Sequence, residues 1–145
     1  MPAAAGDPVP VTDFVGYAPF ESSDGAWLYY TDAVFAPGGL WRIPVVGGTP
    51  TKLVDGVILV NYAVLQGGIY YMDKPAGDKG SYLVDKPSNV TRLRYFDFAN
   101  RRSTTIAADL GNIDVPLTAT ADGRVILFPR TTFSNDDLML VENFR

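Results

Sequence analysis

The side chains of this sequence that could do chemistry are carboxylates and aromatic rings. Asp136 and Asp137 follow Ser134 and Asn135, an oxygen-rich cluster of the kind that can hold a hard cation. The regular oxygen spacing of a calcium loop is missing, however. Asn and Asp tolerate left-handed backbone and bond their own chain, so the run reads as a hairpin turn. Asp24 and Asp122, each followed by Gly, read as turn residues for the same reason. Glu21, Asp114 and Asn61 are the polar residues best placed for a two-carboxylate, glycosidase- or lyase-like site. The chain has no His and no Cys, which removes the commonest general base and every thiolate nucleophile or metal ligand. No catalytic, metal or cofactor site is therefore assigned, and a non-enzymatic role is expected.

The aromatic pairs Tyr29-Tyr30 and Tyr70-Tyr71, with Trp27, Trp41, Tyr95, Phe96 and Phe98, could stack against a sugar or a peptide. Neighbouring residues of a strand point to opposite faces. The pairs thus read as core between packed sheets, with Trp41 the ring expected to be partly exposed. Residues 74–91 form a long insertion containing Tyr82 and Leu83, and loops of that length are often functional. Tyr82 and Leu83 are the expected contact points for a protein or peptide partner.

The elements that must carry these residues repeat. Trp27-Leu28-Tyr29-Tyr30, Gly68-Ile69-Tyr70-Tyr71 and Val125-Ile126-Leu127-Phe128 align, with Ile69 41 positions after Leu28 and Ile126 57 positions after Ile69. A period of ~40–45 residues is that of a four-stranded propeller blade. A second strand follows each run, at Leu40-Trp41-Arg42-Ile43, Leu93-Arg94-Tyr95-Phe96 and Leu138-Met139-Leu140-Val141, and a 12-residue insertion before Leu93 explains most of the longer spacing. Gly47-Gly48 and Asn100-Arg101 suit tight hairpins. Outer strands are predicted at residues 51–54 and 103–106, inner strands at 17–21, 58–65 and 115–119. The third repeat lacks an outer strand, while residues 10–14 form an outer strand without a repeat of their own. No apolar pattern of helical period is present.

Ser23-Asp24-Gly25-Ala26-Trp27-Leu28-Tyr29-Tyr30, echoed by Ala121-Asp122-Gly123-Arg124-Val125-Ile126-Leu127-Phe128, resembles the repeat signature of TolB-like, or WD40-like (PD40), β-propellers of bacteria. Ser23 and Ala121 stand where that signature usually has Pro, and the second repeat lacks its Asp. The resemblance implies an all-β propeller and, since propellers serve as scaffolds, sensors and accessory domains alike, no particular activity.

Composition limits the partners. The net charge is -4, and no basic cluster is longer than Arg101-Arg102, so nucleic-acid binding is not expected. No apolar window approaches the ~20 residues of a membrane span. Residues 1–9 lack the basic and apolar regions of a signal peptide and read as a flexible leader. The chain as written reads as soluble and cytoplasmic, with a periplasmic setting open for a longer parent protein.

The expected architecture is all-β: one domain over residues 10–145, with three four-stranded blades at about 17–55, 58–108 and 113–145. Three wedge-shaped blades do not close a ring. The expected remedy is a homodimer with six blades, or a homotrimer with nine, in which Val11, Thr12 and Phe14 of one copy pair with Leu138, Leu140 and Glu142 of another. The expected function is a self-assembling binding or scaffold module. The alternatives are a carboxylate enzyme using the central channel, and an excised piece of a larger propeller with no role of its own.

Overall fold

The computed structural model describes residues 10–13, 15–74, 91–131 and 136–142, with side chains throughout except at 136–138. Every element among them is a β-strand. β1 (Tyr17–Glu21), β2 (Trp27–Thr31), β3 (Gly38–Pro44), β4 (Thr51–Val64), β5 (Gly68–Asp73), β6 (Arg92–Asp97) and β7 (Arg102–Ala107) form one seven-stranded sheet in chain order. β8 (Asn112–Ile113), β9 (Thr118–Ala119), β10 (Val125–Thr131) and β11 (Asp136–Glu142) form a second sheet. Its central strand β10 pairs with β11 on one side and with β8 and β9 on the other.

The repeats found by aligning the sequence carry identical pairing. Leu28, Tyr29 and Tyr30 lie opposite Ile43, Arg42 and Trp41. Ile69, Tyr70 and Tyr71 lie opposite Phe96, Tyr95 and Arg94, and Ile126, Leu127 and Phe128 lie opposite Val141, Leu140 and Met139. The outer pairings agree down to their irregularity. The ladder skips Leu53 between Leu40↔Val54 and Trp41↔Lys52, and skips Ile106 between Leu93↔Ala107 and Arg94↔Thr105.

Two expected boundaries are corrected. The outer strand at 51–54 and the inner strand at 58–65 are one continuous strand, β4, which pairs with β3 through Val57 and with β5 from Val57 onward. The chain changes direction inside this strand because Gly56, Leu59 and Val60 have φ of +83°, +49° and +53°. The inner strand expected at 115–119 is broken: β8 precedes it, only Thr118 and Ala119 pair, and Pro116 has no amide to donate. All three inner strands are interrupted at the same place, since β1 also shifts register between Tyr17 and Phe20. In addition, Asp136 and Asp137 belong to β11, opposite Thr131 and Arg130, and not to a turn. The register set by Val141 and Met139 carries the strand that far.

Alternation along β5 and β6 builds two cores on opposite faces of the same strands. Ile69, Tyr71 and Phe96 pack with Tyr29, Leu40, Val54, Val57 and Tyr62, so the large sheet folds back on itself at β4. Tyr70, Met72 and Leu93 pack with Ile113, Leu117, Ile126 and Phe128 of the second sheet. Tyr62, 1% exposed, donates its hydroxyl hydrogen bond to the carbonyls of Ala18 and Tyr29, which ties the inner strand of the first repeat to that of the second. Each fully buried aromatic or aliphatic side chain contributes roughly 1.5–3 kcal/mol by leaving water.

The first and third repeats also share a turn. Ser22 Oγ donates to Asp24 Oδ1 at 2.5 Å and accepts from Trp27 N at 2.9 Å, while Ala26 N donates to Asp24 at 3.0 Å. Thr120, Asp122, Arg124 and Val125 reproduce this set at 2.5, 3.1 and 3.2 Å. Gly25 and Gly123 hold φ of +70° and +68°, a conformation open to Gly at little cost. The hydrogen bonds from Ser22 and Ala26, and from Thr120 and Arg124, hold both carboxyls below the ordinary Asp value of about 4. A depressed folded-state pKa contributes stability that is present above the unfolded value and lost as pH falls through the folded one. Asp24→Ala is therefore expected to lower the melting temperature at pH 6 and to lower it less at pH 2. Melting curves of both proteins at the two pH values test this, and an equal deficit at both would refute it.

Candidate functional site

On the face of β2, β3 and β4 turned away from the first core lies a cavity of about 370 Å³, lined by Val15, Tyr30, Asp32, Trp41 and Pro50. Tyr30 and Trp41 are cross-strand partners, and alternation sends both to the side opposite Tyr29 and Leu40. Gly16 presses on the Tyr30 ring so closely that a Cβ there would stand 3.1 Å from it. Burial raises the Tyr30 hydroxyl pKa, and this ring stays neutral.

Asp32 sets the position of the indole. Its Oδ2 accepts from Trp41 Nε1 at 2.8 Å and its Oδ1 from Gly39 N at 2.6 Å. Lys52, opposite Trp41 in β4, lays its ammonium over the indole at 4.9 Å from the ring centre and pairs with Asp55 at 2.8 Å. The carboxylate and the cation are thus committed to holding Trp41. What remains open is apolar surface from Val15, Trp41 and Pro50 over the buried Tyr30 ring, a recess shaped to take an apolar side chain.

The second repeat shows the same device in buried form. Asp73, the counterpart of Asp32, is 4% exposed and takes both nitrogens of one edge of Arg92, each at 2.7 Å, and Arg94 at 3.1 Å. Arg94 is the counterpart of Trp41. Its guanidinium also donates to the Ser103 carbonyl, while the Tyr71 hydroxyl donates to Ser103 Oγ at 2.9 Å.

The residues singled out from sequence fall as follows. Val11 is exposed and Thr12 half-buried, in a stretch that forms no strand with the described residues; Phe14 lies outside those residues. Leu140 and Glu142 sit in β11 with exposed side chains, and Leu138 pairs with Pro129 through its backbone, its side chain lying outside the description. Tyr82 and Leu83 are also outside it. Glu21 ends β1 opposite Leu28. Asn61 is 0% exposed and donates to the Asp114 carbonyl at 3.0 Å, holding the second and third inner strands together. The aromatic pairs are buried and Trp41 is half-buried. The cavity was not read from sequence, because Val15 and Pro50 reach it only through the fold. The recurrence of Tyr-Tyr-x-Asp at 29–32 and 70–73 was the signal for Asp32.

No protein-family model matches the sequence, and no curated protein does. Solved structures do. A putative TolB from Agrobacterium tumefaciens superposes with a TM-score of 0.66 at 21% identity over 95% of this chain. The chain has a TolB-like β-propeller fold. TolB from Acinetobacter baumannii matches at a TM-score of 0.61 and 14% identity over 86% of the chain. Prolyl oligopeptidase B from Galerina marginata, a structure bound to a 35mer hydrolysis and macrocyclization substrate, matches at 0.58 and 12% over 88%. The TolB-like chain spans 48%, 29% and 21% of these three proteins respectively, less than half of each.

Proposed function

We propose that this TolB-like chain is a non-enzymatic binding and scaffold module of three blades that completes its ring by self-association. The observation that carries the reading is the open edge of β11. Among the described residues β11 pairs only with β10, and an exposed strand edge is a template for another strand. β4 supplies the model for the joint, since it closes one repeat with its first half and opens the next with its second. In the sequence, residues 10–14 precede β1 as residues 51–54 precede the inner half of β4.

In this reading residues 10–14 of one copy add to β11 of another, with Val11, Thr12 and Phe14 against Leu138, Leu140 and Glu142. Two copies give six blades. The expected mass in solution by light scattering is twice the chain mass of 15.7 kDa, with three times that mass for the nine-bladed ring. A monodisperse, folded species at the single-chain mass would overturn the proposal.

A further inference from the structure

The repeats do more than stack: each presents the same two faces in the same order. The first repeat meets the second through Tyr29 and Leu40, and the second meets the third through the aligned Tyr70 and Leu93. In return the second repeat meets the first through Ile69, Tyr71 and Phe96, and the third meets the second through the aligned Ile126, Phe128 and Val141. One packing rule is therefore used twice within the chain. It leaves one face of each kind without a partner repeat: on the first repeat the half-buried Leu28 and Trp41 beside Tyr30 and Ile43, which are already buried within the chain, and on the third Leu127 and Leu140.

These are the two faces that the same packing rule would bring together in neighbouring copies. Leu140 is the counterpart of Tyr95, which packs against the core between the second and third repeats, yet Leu140 is 52% exposed. Trp41 is the counterpart of Met139, which packs against that same core from the other side. Beside Trp41 lies an apolar recess of about 370 Å³, with Val15 on its rim 63% exposed.

We infer that the Tyr30–Trp41 cavity is a receptor for a second copy of this chain and takes the Leu140 side chain of that copy, with Leu127 beside it. This rests on the self-association proposed above and adds a face-to-face contact to the strand pairing proposed there. Asp32 and Lys52 are positioning residues in it: they hold the indole upright against the incoming leucine.

The absence of Cys makes the contact directly testable with single-cysteine chains. Val15→Cys and Leu140→Cys chains, prepared separately and then mixed under mild oxidation, are expected to give a disulfide-linked pair that neither gives alone. Leu140→Asp is expected to weaken association at least tenfold by light scattering and to remain folded, because the side chain it replaces is half in water. A wild-type protein that stays at the single-chain mass would overturn the self-association reading together with this inference. A wild-type dimer with no mixed cross-link, and with Leu140→Asp still dimeric, would overturn this inference and leave self-association standing. If Leu140→Asp fails to fold, the cross-link decides alone.

Discussion

Gly68→Ala is expected to destabilise the protein by roughly 3 kcal/mol, the upper end of what overpacking a formed core costs. A Cβ at this position would stand 2.2 Å from the carbonyl oxygen of Phe96 and 2.5 Å from Tyr95 Cζ. The first of these atoms cannot move aside. It is backbone, and Gly68 pairs with Asp97 beside it in the β5–β6 ladder, so relief requires spreading two interior strands of the larger sheet. Nor can the Tyr95 ring swing away freely, since it packs on Tyr70 with ring centres 4.7 Å apart. Gly68 also closes the tight β4–β5 hairpin, where Leu65 N donates to its carbonyl at 2.8 Å.

Gly47→Ala makes the matched control. Nothing lies within 4 Å of the added atom, and φ is +88°, so only backbone strain is introduced, about 1 kcal/mol. Urea denaturation of both variants should separate the two effects. Equal midpoints would show that the β5–β6 pair yields at no greater cost than an open turn.

The contrast between these glycines marks the border of what the sequence discloses. The strand pairing within each repeat was legible because Leu28, Tyr29 and Tyr30 alternate against Leu40, Trp41, Arg42 and Ile43, and the period-2 rule assigns every one of them a face. The turns at Asp24-Gly25 and Asp122-Gly123 were legible because few residues tolerate that backbone. The kink inside β4 was not. Leu59 and Val60 are ordinary strand residues by preference, and only tertiary packing holds a β-branched side chain at positive φ. The candidate site was half legible. Trp41 stood out as the aromatic left over by alternation, whereas its recess depends on Val15 and Pro50, whose approach to Tyr30 is decided by the path of the chain between strands. Asn61 looked like a candidate for chemistry in the channel, and burial makes it a strap between inner strands instead.

The repeated Tyr-Tyr-x-Asp motif separates the two roles one position can play, and the separation can be measured. Asp73→Asn is expected to cost roughly 3 kcal/mol, the low end for breaking a buried ion pair. Its carboxylate is 5% exposed and is engaged by Arg92 and Arg94, whose side chains are 27% and 24% exposed. The same carboxylate raises the pKa of Arg92 above its ordinary value. An amide of the same shape would offer one acceptor and one donor to two guanidinium groups that can only donate. It would leave both charges uncompensated in a region where water reaches only their outer atoms. Added salt should restore little of the loss, because pairs so shielded are poorly screened. Asp32→Asn, at the matching position of the first repeat, keeps an acceptor for either Trp41 Nε1 or Gly39 N and lies in water, so about 1 kcal/mol is expected. Its main effect should instead be on Trp41, whose fluorescence should shift as the indole loses its anchor. Matched losses at the two positions would mean that burial does not divide the anchor of the core from the anchor of the cavity.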